Sequence, residues 1–123
     1  MAKRGVRRRA PSDESLSKAL LAAEAAEAKR AELVAILDLR GQTLVTDYFV
    51  ICTGTSRVQI RAIVDGVAEV LDERYPRGVR EGGEHAQWVL LDYGDVIVHV
   101  FGPEARAFYR LEKLWGDARV VER

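Results

Sequence analysis

The chain has 123 residues, of which 48% are hydrophobic and 31% charged, as in one soluble globular domain and unlike a disordered chain. No apolar run approaches the roughly 20 residues that cross a bilayer, and polar residues follow the basic N-terminus, so neither a membrane span nor a secretory signal is expected and the predicted location is cytoplasmic. The single cysteine, Cys52, cannot form an internal disulfide and is predicted to be a small buried side chain.

The formal net charge of zero conceals a basic tail and an acidic body. Residues 1–9 carry five basic side chains and no acid (+5), whereas residues 10–123 carry 14 basic and 19 acidic side chains (−5). Residues 1–11 are predicted to form a disordered tail, which either only adds solubility or contacts a phosphate backbone nonspecifically. The acidic body argues against a broad nucleic-acid-binding face and favours a basic protein partner.

The first predicted element is a helix, capped by Ser12 or Ser15, that runs through LSKALLAAEAAEAKRAE. Its larger apolar residues, Leu16, Leu20 and Leu21, are few, so it is expected to pack by one narrow stripe. The apolar run LVAILDL (33–39) predicts a strand covered on both faces. After a turn at 40–42, DYFVICTG (47–54) predicts a second strand, rich in aromatic and β-branched residues.

A second helix is predicted to follow the turn Gly54-Thr55-Ser56. Ser56 and Gln59 match a capping box, and the helix should end before Pro76. Its expected core-facing residues share helical spacing and are Ile60, Ile63, Val64, Val67 and Leu71. The segment PRGVREGGEHAQ (76–87) is predicted to be a long glycine-bearing loop.

The segment WVLLDYGDVIVHVF (88–101) predicts a hairpin, and Pro103 is well placed to begin a third helix. Phe108, Leu111 and Trp115 share a face of that helix, and Gly116 can end it. ARVVE (118–122) could add a short edge strand. The order α-β-β-α-β-β-α, with this doubtful final strand, predicts an α/β fold in which helices flank one mixed sheet, and a single domain over residues 12–123.

The hairpin concentrates unusual side chains on one face. A two-residue turn at Tyr93-Gly94 would place Asp92 opposite Asp95, Leu90 opposite Ile97, and Trp88 opposite His99. The other face would be uniformly apolar and is the better core face; it holds Val89, Leu91, Val96, Val98 and Val100. Like charges opposite each other are mildly destabilising, so a cationic partner would be favourable there.

Three interpretations of this hairpin stay open. Asp92, Asp95 and His99 could form a metal or acid/base site, although no second histidine lies nearby apart from His85 in the loop, and no metal-binding motif is present. The acids could instead stabilise the turn while the aromatic rings pack under a helix. The third interpretation is a partner surface with aromatic anchors and acids that select a basic partner.

The turn Gly54-Thr55-Ser56 suggests an enzymatic alternative. A strand, a small-residue turn and a helix can offer backbone N–H groups to a phosphate, and nucleotidyltransferase-like domains open in this way. Such domains also carry paired acids that hold magnesium. Asp65 has no paired acid and lies in a helix, and no P-loop pattern is present, so no metal or cofactor is expected.

Three ordered segments, LRGQTLVTDYFVICTGTSRVQIRAI, WVLLDYGDVIVHVF and RAFYRLEKLWGDA, resemble the ribosomal silencing factor family (RsfS, also called Iojap-like) over residues 15–118. The resemblance implies a non-enzymatic function. Members bind the large ribosomal subunit through the fourteenth large-subunit ribosomal protein, block joining of the small subunit, and reduce translation when nutrients are scarce. It also implies a nucleotidyltransferase-like sheet without the catalytic acids, no cofactor, and homodimers when free.

The resemblance implies that the partner-facing residues lie on the hairpin and the last helix. They are Trp88, Leu90, Asp92, Tyr93, Asp95, His99, Tyr109, Lys113 and Trp115. By residue type, Trp88 and Tyr93 would supply apolar anchoring, the two acids would pair with lysine or arginine, and Lys113 would reach an acid or an rRNA phosphate. Trp115 could anchor too, although its spacing from Phe108 also fits core packing. Tail cations that could add rRNA contacts are Lys3, Arg4, Arg7, Arg8 and Arg9.

Overall fold

The computed structural model describes residues 12–75, 78–83, 86–109 and 118–123, and for residues 12–13 and 107–109 it describes the backbone alone. The elements are α1 (Ser12–Ala28), β1 (Glu32–Asp38), β2 (Tyr48–Thr53), α2 (Arg57–Asp72), β3 (Val79–Glu81), β4 (Trp88–Asp92), β5 (Val96–Phe101), α3 (Pro103–Tyr109) and β6 (Arg119–Val120). No helix within these ranges is long and apolar enough to cross a membrane.

The six strands form one sheet in the order β3-β4-β5-β2-β1-β6. The central β2–β5 pair is parallel, and the other four pairs are antiparallel. The predicted α/β fold, a mixed sheet flanked by helices, is therefore confirmed, and the doubtful final strand is present as β6. The parallel pair is joined through α2 and the β3–β4 segment, which is the kind of long connection that parallel strands require.

The prediction of a loop over residues 76–87 is wrong in part, because β3 lies inside it. Val79 pairs with Asp92 and Glu81 pairs with Leu90, so β3 extends the sheet along the outer edge of β4. All three β3 residues are exposed. An exposed strand of three residues has no buried alternation in its sequence, and it forms here because β4 supplies backbone partners.

One face of the sheet is covered by α1 and α2. The five residues predicted to face the core from α2 are all buried, as is Gly66. In α1 the fully buried residues are Ala19, Ala22, Ala23 and Ala26, and the larger Leu16, Leu20 and Leu21 are partly buried and pack against the same core. The small alanine side chains let α1 approach its neighbours closely, and the leucines pack at the margins of this contact.

The prediction that β1 is covered on both faces is correct only for its second half. Ile36, Leu37 and Asp38 are buried, but Leu33 is 67% exposed. The register of β1 against β2 shifts between Glu32 and Ala35, and Leu33 has a φ of 51°. The irregularity turns Leu33 towards solvent, which the hydrophobicity of the run cannot reveal.

The second face of the sheet carries a smaller apolar cluster. Its buried members are Leu37, Leu39, Ile51, Phe101 and Ala105. Phe49, Trp88 and Ala118 pack against this cluster and stay partly exposed. This is the face to which one row of hairpin side chains points, and it therefore carries four of the nine hairpin and last-helix residues predicted to contact a partner, namely Trp88, Leu90, Asp92 and His99.

Candidate partner-binding surface

The hairpin turn lies one residue further along the chain than predicted. Tyr93 N–H donates to the Val96 carbonyl oxygen at 2.9 Å, so Gly94 and Asp95 are the turn residues. Gly94 has a φ of 86°, which favours glycine, and its N–H donates to Asp92 Oδ1 at 2.8 Å. The predicted cross-strand pairs are wrong for this reason.

The observed register pairs Trp88 with Phe101, Leu90 with His99, and Asp92 with Ile97. Each residue has moved by two positions relative to its predicted partner. Because strand side chains alternate with a period of two, a shift of two residues leaves every side chain within the two strands on its predicted face. The apolar residues of both strands point to the helices, and the row that begins with Trp88 points to the second face.

The predicted opposition of two acids is wrong. Asp95 is turned towards α1, where its carboxylate accepts hydrogen bonds from Lys18 Nζ and Ser15 Oγ, both at 2.6 Å. Burial alone would raise the pKa of Asp95, but the hydrogen bonds from Lys18 and Ser15 outweigh it and hold the pKa below its usual value. Asp95 is thus a carboxylate bound within its own chain, whereas Asp92 is a half-exposed acid at the edge of the second face.

Tyr93, which is predicted to supply apolar anchoring, is half-buried. Its hydroxyl donates to Asp72 Oδ1 at 2.7 Å, and its ring lies so close to Gly78 that a Cβ at position 78 would overlap it. Burial, and then the neighbouring Asp72 carboxylate, raise the pKa of Tyr93 above its ordinary value. The side chain therefore fastens the hairpin tip to the end of α2.

Trp88 and His99 form a hydrogen-bonded pair on the second face. The Trp88 Nε1–H donates to His99 Nδ1 at 3.0 Å. Because Nδ1 accepts, the proton of the neutral imidazole is on Nε2, and this is the buried side-chain nitrogen that has no hydrogen-bond partner in the described part of the chain. Burial lowers the pKa of His99 to about 4, so the ring is neutral at pH 7.

Aromatic rings enclose the imidazole. The Phe49 ring lies edge-to-face with it at 4.4 Å between centroids, and the Phe101 ring is stacked at 6.0 Å. His99 is only 4% exposed, whereas Trp88 is half-buried. In this arrangement His99 lies beneath the surface and the Trp88 indole lies at it.

Five half-exposed residues form the surface that we call the Trp88 face. They are Phe49, Trp88, Leu90, Asp92 and Ile97. Four are apolar and one is acidic, and they come from the three adjacent strands β4, β5 and β2. Aromatic and aliphatic side chains beside one charge are typical of the anchoring part of a protein interface.

Two members of this surface, Phe49 and Ile97, are absent from the predicted contacts; the hairpin alternation places Ile97 on this face, whereas nothing in the sequence analysis places Phe49 there. Strand alternation already separates Phe49 and Ile51 from Tyr48, Val50 and Cys52. What brings Phe49 beside the hairpin is the parallel pairing of β2 with β5, which sets Phe49 next to Ile97. Its chain neighbour Tyr48 is 1% exposed and belongs to the core on the opposite face.

Several predicted contact residues lie outside the described residues. They are Lys113, Trp115, the side chain of Tyr109, and the tail cations Lys3, Arg4, Arg7, Arg8 and Arg9. The backbone of Tyr109 ends α3. His85 of the loop also lies outside the described ranges.

The turn at residues 54–56 uses its own backbone donors within the chain. Gly54 N–H donates to the Phe101 carbonyl at 2.8 Å, and Thr55 N–H donates to Gln59 Oε1 at 2.6 Å. Ser56 Oγ accepts from Gln59 N–H at 3.1 Å, which confirms the predicted helix cap. A phosphate could reach these groups only by displacing Gln59, so the geometry does not favour a phosphate cradle.

The acids needed for the enzymatic alternative are also differently engaged. Asp65 accepts from Arg80 at 3.1 Å on the exposed side of α2. Across residues 12–75, 78–83, 86–109 and 118–123, no three of the histidine, cysteine, aspartate and glutamate side chains come together as ligands for a metal ion. The predicted trio of Asp92, Asp95 and His99 is divided between the surface, α1 and the interior.

Fold and surface together define a small mixed α/β domain whose distinctive feature is an aromatic, singly acidic sheet face. The chain belongs to the ribosomal silencing factor family: the family model described as "Ribosomal silencing factor during starvation" matches residues 12–123. The chain is 48% identical over 103 residues to the ribosomal silencing factor RsfS of Halalkalibacterium halodurans, covering 83% of this chain and 88% of that protein. It is 46% identical over 106 residues to RsfS of Bacillus subtilis, covering 83% and 87%.

Solved structures agree with the family. A crystal structure from Bacillus halodurans superposes with a TM-score of 0.77 at 42% identity, covering 88% of this chain and 99% of that one. A crystal structure of a Chromobacterium violaceum protein superposes with a TM-score of 0.78 at 36% identity, covering 82% and 85%. The chain therefore shares its fold with both solved structures.

Proposed function

We propose that the protein binds the large ribosomal subunit through the fourteenth large-subunit ribosomal protein, and that it thereby blocks joining of the small subunit and represses translation when nutrients are limiting. Membership of the ribosomal silencing factor family supports a role in translational regulation. The proposed partner and the steric mechanism rest on the resemblance of the hairpin and last-helix segments to that family.

The observation that carries the proposal is the Trp88 face. Its apolar members stay half-exposed in the isolated chain, although the opposite face of the sheet is buried under two helices. Leaving aromatic surface in water costs free energy that a partner would recover, at about 25 cal/mol per Å² of apolar area. Apolar anchors at the centre and a charge at the rim are the arrangement expected of a specific protein contact.

Charge points to a basic partner. Asp92 lies at the rim of the Trp88 face, and the body over residues 10–123 carries five more acidic than basic side chains, because it has 19 acids and 14 bases. A net negative body is attracted to a cationic ribosomal protein and repelled by exposed rRNA. We propose that Asp92 pairs with a lysine or arginine of the partner, while Asp95 and Tyr93 hold the shape of the tip.

The remaining predicted contacts form the edge of the proposed interface. Tyr109, Lys113 and Trp115 would extend it from the last helix, and the tail cations would add contacts to rRNA phosphates. Such phosphate contacts strengthen binding at low salt and fade as ionic strength rises. We also propose that the free protein is a homodimer, which light scattering of the purified chain would test.

The proposed mechanism is steric. A 13.7 kDa domain bound at the intersubunit surface occupies space that the small subunit needs, so no covalent step is required. Repression then depends on occupancy alone, and it should follow the binding curve for large subunits. Substitutions that weaken binding should relieve repression in proportion.

The proposal is tested by mixing purified subunits with and without the protein and separating them on a sucrose gradient. The expected result is loss of the joined-ribosome peak, with the protein in the large-subunit fraction. A photo-crosslinking amino acid at position 90, in the centre of the Trp88 face, should then attach to the fourteenth large-subunit protein. An undiminished joined peak, or crosslinks only to the small subunit, would refute the proposal.

A further inference from the structure

We infer that His99 is a positioning residue for the Trp88 face: it fixes the orientation in which the Trp88 indole is presented to a partner. The inference rests on the proposed function, because it concerns how the same surface binds. It changes the role predicted for His99, which the family resemblance places in contact with the partner itself. Two features of the molecule support it: the imidazole is buried, and it accepts a hydrogen bond from the Trp88 indole.

His99 is too deeply buried to make the contact directly. The residue is 4% exposed, and its Nε2 atom is buried. Phe49 and Phe101 flank the ring, and Trp88 lies at its Nδ1 edge. A partner that docks on the sheet face would meet Phe49 and Trp88 first, so any effect of His99 on binding must pass through its neighbours.

Two contacts fix the indole, and they constrain different motions. Trp88 is stacked on its cross-strand neighbour Phe101, with 5.1 Å between centroids and 29° between planes. Stacking holds the plane of the ring but tolerates rotation and sliding within that plane. The hydrogen bond from Nε1–H to His99 Nδ1 is directional, so it fixes which edge of the indole points inward.

A purely structural role would not need an imidazole. Burying this ring leaves Nε2–H without a hydrogen-bond partner in the described part of the chain, which is unfavourable, and a leucine would fill similar space at no such cost. The other ring nitrogen, Nδ1, accepts its hydrogen bond from Trp88. The polar ring therefore contributes through the orientation of the indole, and an ordered anchor loses less conformational entropy on binding than a mobile one.

The test is a double-mutant cycle on affinity for isolated large subunits at pH 7.5, with Trp88→Phe and His99→Leu. His99→Leu in the parent chain should weaken binding about tenfold, since coupled neighbours commonly interact on this scale. In the Trp88→Phe chain, which lacks the indole donor, the same change should alter affinity less than twofold. His99→Asn, whose side-chain oxygen can accept in place of Nδ1, should retain most of the affinity that His99→Leu loses.

Nuclear magnetic resonance gives a second measurement that needs no change at position 99. The Trp88 indole N–H signal is assigned by its absence in Trp88→Phe, and it should exchange slowly with solvent and show a coupling across the hydrogen bond to His99 Nδ1. In His99→Leu the signal should move and exchange faster. The coupling in the unaltered protein decides the inference even if a position 99 variant folds poorly.

Independent, multiplying effects of the two substitutions would overturn the inference, as would a His99→Asn chain that binds no better than His99→Leu. Absence of the coupling to His99 Nδ1 in the unaltered protein would overturn it too. If the unaltered protein does not bind large subunits, the proposed function fails and the inference falls with it. If the parent binds large subunits but the effects of Trp88→Phe and His99→Leu on the binding free energy are additive, the proposed function stands and only the positioning role of His99 is refuted.

Discussion

Lys18 and Asp95, which are 77 positions apart in the chain, form a salt bridge with 2.6 Å between Nζ and Oδ1. Their side chains are 8% and 30% exposed, so the pair is shielded from solvent more than a surface ion pair is. Ser15 donates to the second oxygen of the same carboxylate at 2.6 Å. The contact holds α1 against the hairpin tip. It also distinguishes the two acids of that tip: Asp95 stabilises the fold, whereas Asp92 remains half-exposed.

We therefore expect Asp95→Ala to lower the free energy of unfolding by about 2 kcal/mol, because it leaves the shielded Lys18 ammonium without its partner; partial solvent exposure keeps the loss below that of a fully buried pair. Asp92→Ala is the matched control in the same turn, and it should cost less than about 1 kcal/mol. Urea unfolding of both variants checks this. Equal losses would contradict the distinction between the two acids.

Gln59 joins three segments of the chain. Its Oε1 accepts from Thr55, and its Nε2 donates to the carbonyl oxygens of Lys29 at 3.3 Å and Arg30 at 2.9 Å. Gln59→Leu keeps the size but removes these bonds, and we expect it to lower the free energy of unfolding by about 1–2 kcal/mol. Val58→Ala, at an 80% exposed neighbouring position, should be nearly neutral. Thermal unfolding of the two variants makes the comparison, and equal melting temperatures would show that Gln59 does not join the segments.

Glycine at position 78 lets the Tyr93 ring lie against the backbone. A Cβ there would overlap the ring, whereas a Cβ at Gly83 would meet nothing within 4 Å. We expect Gly78→Ala to displace Tyr93, break its bond to Asp72 and weaken binding of large subunits severalfold, while Gly83→Ala leaves both unchanged. Tyrosine ring signals in a nuclear magnetic resonance spectrum report the displacement. An unmoved Tyr93 in Gly78→Ala would refute the expectation.

His99 should make stability depend on pH. Its pKa is about 4 in the folded protein, against 6.5 for a freely solvated histidine, so below pH 6.5 the unfolded chain takes up a proton that the folded chain does not. Stability should fall as pH drops from 6.5 towards 4, by at most about 3 kcal/mol, and this residue should have no effect above 6.5. The rings that face it are Phe49, Trp88 and Phe101, none of which carries a compensating charge.

The matched control is His99→Asn, because asparagine does not titrate. Urea unfolding between pH 6.5 and 5 distinguishes the contribution of the imidazole to stability from those of the acids. Asp38 and Asp95 have pKa values lowered below 3.8, so their contributions are lost only at lower pH. The parent should lose stability over this interval and the variant should not. If the stabilities of the parent and the variant changed in parallel with pH, the imidazole would take up its proton as readily in the folded chain as in the unfolded chain, which would contradict the expectation.

Local patterns predicted what depends on neighbouring residues in the chain. The face of α2, its cap at Ser56 and the division of hairpin side chains between two faces all follow from spacing, and each is confirmed. The two-residue error in hairpin register had little consequence because it preserved the faces. The prediction of the turn was wrong because it placed Gly94 at the second turn position. In the structure Gly94, with its positive φ, occupies the first turn position.

What depends on distant residues could not be predicted from the sequence. The hydrophobicity of Phe49 is compatible with either sheet face, and its place beside Ile97 comes from a parallel pairing across a long connection. Lys18 resembles any helical surface lysine until the tip of the hairpin is placed against it. His99 resembles a polar surface residue in the sequence, yet aromatic rings from two other strands enclose it.

The central claim is that the Trp88 face binds the large ribosomal subunit. The most direct measurement is cosedimentation of the full chain with isolated large subunits, comparing the parent with Trp88→Ala, Asp92→Lys and the control Val58→Ser on the far side of the sheet. We expect the parent and Val58→Ser to pellet with the subunit, and Trp88→Ala and Asp92→Lys to stay in the supernatant while remaining folded by circular dichroism. A parent chain that ignores the large subunit, or Trp88→Ala and Asp92→Lys variants that bind as well as the parent, would contradict the account.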